Sequence, residues 1–110
     1  MHEMSITQSV IDICCQNAGG QRVTSVTLEI GELSNVFTHA IEFCFEACSK
    51  DTLVEGAQLH IELVPGTGRC LDCDVIVAVH AHYDPCPTCG SFGVEIISGE
   101  ELRVKELEVE

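Results

Sequence analysis

Two sets of residues in this chain have the types and spacing to do chemistry. The first is Cys70-Leu71-Asp72-Cys73, followed after twelve residues by Cys86-Pro87-Thr88-Cys89-Gly90. Each CxxC turn aims two sulfurs at one point, and the loop between the pairs can bring those points together. Two such pairs make a tetrahedral four-sulfur set, and soft thiolate ligands select zinc or iron. Zinc is the preferred reading: four thiolates fill its shell and leave no open position for catalysis. Its role is then structural, since a segment under about 40 residues rarely keeps a core without a metal or disulfides.

The second set is Met1-His2-Glu3. The His2 imidazole, the His2 backbone nitrogen and the Met1 α-amine can close two fused chelate rings on one metal. Glu3 adds a carboxylate beside them. Imidazole suits Ni, Cu and Zn, and a nitrogen-rich tetragonal field suits Ni(II) or Cu(II). Every chain that starts with Met has some second residue, so taken alone this motif is weak.

The remaining candidates are weaker still. Cys14 and Cys15 are adjacent on an expected helix, about 100° apart, and chelate one metal poorly. Cys44 and Cys48 are one turn apart and could chelate, but they lie on an apolar stripe where cysteine packs as a small hydrophobe. Core packing is preferred for them. His80 and His82 fall on one side of an expected strand and read as exposed polar residues rather than second-site ligands. His39 and His60 have no evident partner and read as structural or surface residues.

Composition bounds the class. The 110 residues have room for one domain with a small insert. The formal charge is -13 with only five Lys and Arg, which excludes nucleic acid as the partner, because phosphate binding needs clustered cations. No apolar run approaches the roughly 20 residues of a membrane helix. The N-terminus lacks the basic and apolar regions of a secretory signal, so a reducing, cytoplasmic location is expected. Of the eight cysteines, the four in two CxxC pairs then read as metal ligands rather than as part of a disulfide scaffold.

These residues need elements to position them. Met4 to about Asn17 carries Ile6, Val10, Ile13 and Cys14 at helical spacing, and Gly19-Gly20 stops it. Arg22–Ile30 alternates as a strand. Gly31-Glu32-Leu33-Ser34-Asn35 is a turn. Phe37–Cys48 reads as a second helix with the stripe Phe37, Ile41, Cys44, Phe45, Cys48. Leu59, Ile61 and Leu63 mark a second strand, expected to lie parallel to the first across the helical crossover. Leu102–Val109 is a last strand whose alternation slips near Lys105-Glu106, as a β-bulge would make it. Within the insert, Val75–Tyr83 should form a hairpin arm. The expected fold is α+β with an α/β-type core: a small three-stranded mixed sheet with two helices, plus an inserted zinc-ribbon-like β module. Residues 1–65 and 99–110 would form the first domain and 66–98 the inserted one. Gly66 and Gly99 read as hinges that would permit domain swapping, and a homodimer is left open.

Met1-His2-Glu3-Met4-Ser5, Gly31-Glu32-Leu33-Ser34, the paired CxxC motifs and the closing Leu107-Glu108-Val109-Glu110 together resemble the HypA/HybF family of hydrogenase maturation proteins. The resemblance covers essentially the whole chain, and Cys14 and Cys15 are not part of the pattern. It implies a nickel metallochaperone, not an enzyme. His2 and Glu3, with the Met1 amine as a further donor, would hold Ni(II) as transferable cargo. Cys70, Cys73, Cys86 and Cys89 would hold structural zinc. Nickel would pass to the large-subunit precursor of a [NiFe] hydrogenase, with the nickel-handling GTPase HypB as co-worker, and some relatives also serve urease. The alternative from a different class is a non-catalytic zinc-ribbon adaptor in which Met1-His2-Glu3 is incidental.

Overall fold

The computed structural model describes residues 3–110. Its elements run α1 (Glu3–Asn17), β1 (Val23–Gly31), α2 (Thr38–Cys48), β2 (Gln58–Val64), β3 (Thr67–Cys70), β4 (Ile76–Ala78), β5 (Val94–Ser98) and β6 (Leu102–Val109). They form two sheets of three strands, ordered β2-β1-β6 and β4-β3-β5. Two helices with a small mixed sheet and a second, antiparallel one are the architecture expected from the sequence. No helix among the described residues is long and apolar enough to cross a membrane.

The chain divides into two compact units. The first takes the residues up to Glu29, then Asn35–Glu62 and Arg103–Glu110. Here α1 packs on α2. The buried face of α1 is Thr7, Val10, Ile11 and Cys14, the i, i+3, i+4, i+7 set of one helical face. Ile13, expected on that face, is rotated off it and exposed, and Ile11 takes its place. The α2 stripe is likewise narrower than expected. Ile41, Cys44 and Phe45 are buried, but Phe37 is the extended N-cap residue and 76% exposed. Helical side chains reach a common face only where the backbone is already helical, and at Phe37 it is not.

In the sheet of this unit, β1 is central. Val26, Thr27 and Leu28 are buried in succession, so the strand is covered on both faces there. Leu53 O accepts from Val23 N at 2.8 Å ahead of β2, and Val64 O accepts from Glu32 N at 2.9 Å at its end. These bonds make β1 and β2 parallel. Glu110 N donates to Arg22 O at 3.0 Å and Gly31 N to Glu101 O at 2.7 Å, which makes β6 antiparallel to β1. The β2 alternation holds for Leu59 and Ile61 but fails at Leu63, which is exposed while Val64 is half-buried. In β6, Lys105 and Glu106 are both exposed between half-buried Val104 and Leu107, the slip in phase read from the sequence.

The second unit comprises Ile30–Ser34 and Leu63–Leu102. β3 pairs antiparallel with β4, matching Arg69 with Ile76, and with β5, matching Cys70 with Val94. The hairpin arm expected over Val75–Tyr83 is formed only by Ile76–Ala78, which pairs back on β3, and His80–Asp84 is a turn in which Asp84 Oδ2 accepts from His80 N and Ala81 N at 3.0 and 3.1 Å. An aspartate capping two backbone N–H groups favours a turn over strand continuation.

Gly66 and Gly99, read as hinges, are instead points of direct backbone contact. A Cβ on Gly66 would lie 2.0 Å from Val79 O, and one on Gly99 would lie 2.6 Å from Gly66 Cα. Gly31 completes the crossing: its Cβ would lie 2.0 Å from Gly99 O. The Gly31–Ser34 turn is closed by Ser34, whose N–H and hydroxyl both donate to Gly31 O, at 3.1 and 2.8 Å. It delivers Leu33, 3% exposed, into the core of this unit with Cys70, Val77, Val79 and Cys86.

Candidate metal centre

The two CxxC segments are built alike. Asp74 N donates to Cys70 O at 2.8 Å, and Gly90 N donates to Cys86 O at 2.7 Å. Cys70 N in turn donates to Val75 O at 2.9 Å, and Cys86 N to Ser91 O at 2.7 Å. Each turn ends on a left-handed residue, Asp74 with φ 59 and Gly90 with φ 77. Glycine takes that conformation freely, and aspartate is among the few side chains that tolerate it. The turns are joined by Leu71 N to Gly93 O at 2.8 Å and by a hydrogen bond from the Ser91 hydroxyl to the Asp72 carboxylate.

This construction brings Cys70, Cys73, Cys86 and Cys89 together, with all four sulfurs within 4.8 Å of one another. Cys70 and Cys89 are 3.6 Å apart and Cys73 and Cys86 3.7 Å, far beyond the roughly 2.05 Å of a disulfide. All eight cysteines of the chain are unbridged. The separations match sulfurs arranged around a shared ion rather than bonded in pairs.

The electrostatics say the same. Backbone N–H donation from Cys89, working against burial and helped by Thr88, pulls the Cys86 thiol down to about 6. Burial, followed by hydrogen bonding to Cys70, Cys86 and Cys89, pushes Cys73 up to about 12. Cys89 is also raised: the Ser91 backbone N–H lowers it, but hydrogen bonding to Cys70 and burial outweigh that. One thiolate is therefore prepared at neutral pH, and its charge opposes formation of the others. A divalent cation removes that opposition and lets all four ionise. The cluster suits zinc, which would hold the two turns together without an open coordination site.

Of the N-terminal candidates, Met1 and His2 lie outside the described residues. Glu3 is the first residue of α1 and is half-buried. Its Oε2 accepts from Phe37 N at 3.5 Å, at the start of α2, which has no other side-chain cap. The carboxylate is thus held against the positive end of a helix.

Among the described residues, the histidines do not converge. His80 Nδ1 meets Glu32 Oε2 at 3.0 Å, and His82 Nε2 meets Glu100 Oε2 at 3.1 Å, both from the turn rather than a strand face. His39 is 4.0 Å from Glu42 on the surface of α2, and His60 is exposed. Glu32 is a residue whose role the sequence does not announce. Its other oxygen accepts from Gly66 N at 2.9 Å, so one carboxylate ties together the Gly31 turn, the β3 entry and the His80 turn. Only its place in the Gly31-Glu32-Leu33-Ser34 motif singled it out beforehand.

The Glu32–His80 pair has a pH signature. The Gly66 N–H, with His80, holds Glu32 below the usual carboxylate value of 4.5, and Glu32 raises His80 above 6.5. The Glu32 contribution is complete above 4.5 and is lost as pH falls through its lowered folded value. The His80 contribution is complete below 6.5 and is lost as pH rises through its raised folded value. The pair therefore acts fully between those two values and fades on either side. Both groups are exposed, so the stability effect is small, and NMR titration is the better measurement. His80 is expected to titrate above 6.5 in the native chain and to return toward it in Glu32→Gln. An unchanged His80 titration in that variant would contradict the assigned contact.

Fold and site together define a small metal-binding protein with an α/β unit and a four-thiol zinc-ribbon-like unit. The family described as "Hydrogenase/urease nickel incorporation, metallochaperone, hypA" matches residues 1–109, and the chain belongs to it. Hydrogenase maturation factor HypA of Geotalea uraniireducens is 68% identical over 110 residues, covering all of both chains. That of Geobacter sulfurreducens is 59% identical over the same span, again covering all of both. The solution structure of the Ni metallochaperone HypA from Helicobacter pylori superposes with a TM-score of 0.71 at 31% identity, over 99% of this chain and 97% of that one.

Proposed function

We propose that this chain is a nickel metallochaperone rather than an enzyme, binding Ni(II) through His2 and Glu3 and delivering it for maturation of a [NiFe] hydrogenase. Nickel is cargo in this reading, and zinc on Cys70, Cys73, Cys86 and Cys89 is structural. Division of labour follows the chain: residues 1–65 and 99–110 for nickel, 66–98 for zinc. HypB and the hydrogenase large-subunit precursor are the proposed partners, and the cytoplasm the proposed location.

The observation that carries this reading is the family match from residue 1 to residue 109, which takes in both candidate metal sets at once. Chemistry supports it. Amide and imidazole nitrogens must lose protons to bind nickel, so affinity falls on acidification and the metal can be released. The four-thiol set has the opposite character, with a closed shell that keeps its ion.

Metal content and nickel titration on untagged protein, beside His2→Ala, test the assignment. One zinc should remain in both proteins, and tight nickel binding should vanish in the variant. Equal nickel binding by the two would move the site elsewhere, and nickel affinity no better than that of an unrelated His-containing peptide would leave a zinc-ribbon adaptor.

A further inference from the structure

The α1–α2 contact holds a second group of metal-binding atoms that the nickel and zinc assignments leave unused. Cys48 is half-buried at the C-terminal end of α2, and its Sγ lies 3.0 Å from Sδ of Met4 in the first turn of α1. Cys44, 8% exposed, lies four residues before Cys48 on the same face of α2. Helical side chains lean toward the N-terminus, so the Cys48 sulfur is carried back over the turn that holds Cys44. The Cys48 thiol and the Met4 thioether thus meet where α1 packs on α2, with buried Cys44 one turn back on the same helix. None of them is tied up in a disulfide.

We infer that Met4 and Cys48, with Cys44 as a third donor, form a site for one soft monovalent cation, Cu(I). The donor set decides the ion. Thiolate and thioether sulfur select Cu(I), whereas Ni(II) and Zn(II) gain nothing from a thioether over the imidazole and thiolate sets elsewhere in the chain. Two or three sulfurs suit an ion content with low coordination number. Only one side chain has to move: the sulfurs must separate a little to admit the ion, and Met4, 53% exposed with three rotatable bonds, can do so. Binding replaces a thiol proton with the metal, so the step releases one proton for each thiol that ionises.

The site stands independently of the nickel reading, since it uses no atom of His2 or Glu3. It does compete with the four-cysteine cluster, which is also soft. The experiment is therefore an anaerobic titration of the zinc-loaded full chain with Cu(I), delivered from a Cu(I)-specific chromogenic buffer, with zinc release read in parallel. One Cu(I) is expected to bind before any zinc leaves. Cys48→Ser and Met4→Leu should each weaken that binding by about ten-fold or more, the scale on which metal sites respond to loss of a supporting group. Both positions are partly exposed, so both variants should retain their zinc and their helical signal. Cys14→Ser should bind Cu(I) as the native chain does. Uptake of Cu(I) only in step with zinc release would overturn the proposal, as would native affinity in either Cys48→Ser or Met4→Leu.

Discussion

Cys86→Ser is expected to abolish the folded state of the four-cysteine unit while leaving the α1–α2 unit helical. Leu33, Cys70, Val77, Val79 and Cys86 are the buried residues of that unit's core, and two of the five belong to the four-cysteine cluster. Its sheet is one four-residue strand flanked by strands of three and five. So little apolar surface cannot offset the backbone entropy of ordering the segment. Structural zinc contributes apparent binding energies of about 10–16 kcal/mol in small zinc modules, comparable to the whole stability of an ordinary domain. Serine removes the thiol held down to about 6 by the backbone N–H groups of its own turn. Amide hydrogen exchange resolves the outcome. Residues 66–98 should lose their protection in the variant, and in the native chain after exhaustive chelation. Protection at Ile11, Cys14 and Phe45 should persist, because those residues pack in a different unit. Retained protection around Val77 and Val79 without metal would show that the unit has a sufficient core of its own. Loss of α1 protection would show that the units fold as one.

Gly31→Ala should destabilise the same unit for a purely steric reason. The added methyl would meet Gly99 O at 2.0 Å, Gly99 C at 2.1 Å and Glu100 N at 2.6 Å, all backbone atoms that no side-chain rotation can move aside. Overpacking costs about 1–3 kcal/mol, and more where, as here, backbone has to shift. Gly56→Ala is the matched control. Its φ of +80 penalises any side chain, but nothing lies within 4 Å of the new Cβ. That strain alone costs about 1–2 kcal/mol. Denaturant unfolding of the zinc-loaded protein, followed by exchange or by zinc release, should rank Gly31→Ala well below Gly56→Ala. A Gly31→Ala protein as stable as the native chain would mean that the backbone crossing at Gly31, Gly66 and Gly99 is not close-packed.

That crossing also shows where sequence reading stops. Glycine is legible as a break in pattern, and Gly66 and Gly99 were read as hinges on that basis. Whether a glycine bends or permits contact depends on which segment lies against it: for Gly66 that is Val79, thirteen residues on, and for Gly99 it is Gly66, thirty-three residues back. The same limit explains Phe37 and Ile13. Periodicity counts an apolar residue as buried if its spacing fits. It cannot see that the helix starts one residue later, or that the partner covers a face centred on Ile11.

The four-cysteine site was legible because its information is local. Two CxxC turns each fix a pair of sulfurs through hydrogen bonds spanning four or five residues, Asp74 to Cys70 and Gly90 to Cys86. Residue type and spacing then determine the donor set, and the donor set determines the class of ion. Strand and helix order was legible for a related reason, since alternation and 3.6-residue periodicity record which faces must leave water. The sequence by itself determined the elements, the four-cysteine donor set and the net acidic charge. The contacts between distant side chains were decided by tertiary structure alone: Glu32 with Gly66 and His80, Leu33 in the ribbon core, and Met4 against Cys48. Each of these joins segments more than thirty residues apart, and no local propensity encodes which distant partner a buried or charged side chain will meet.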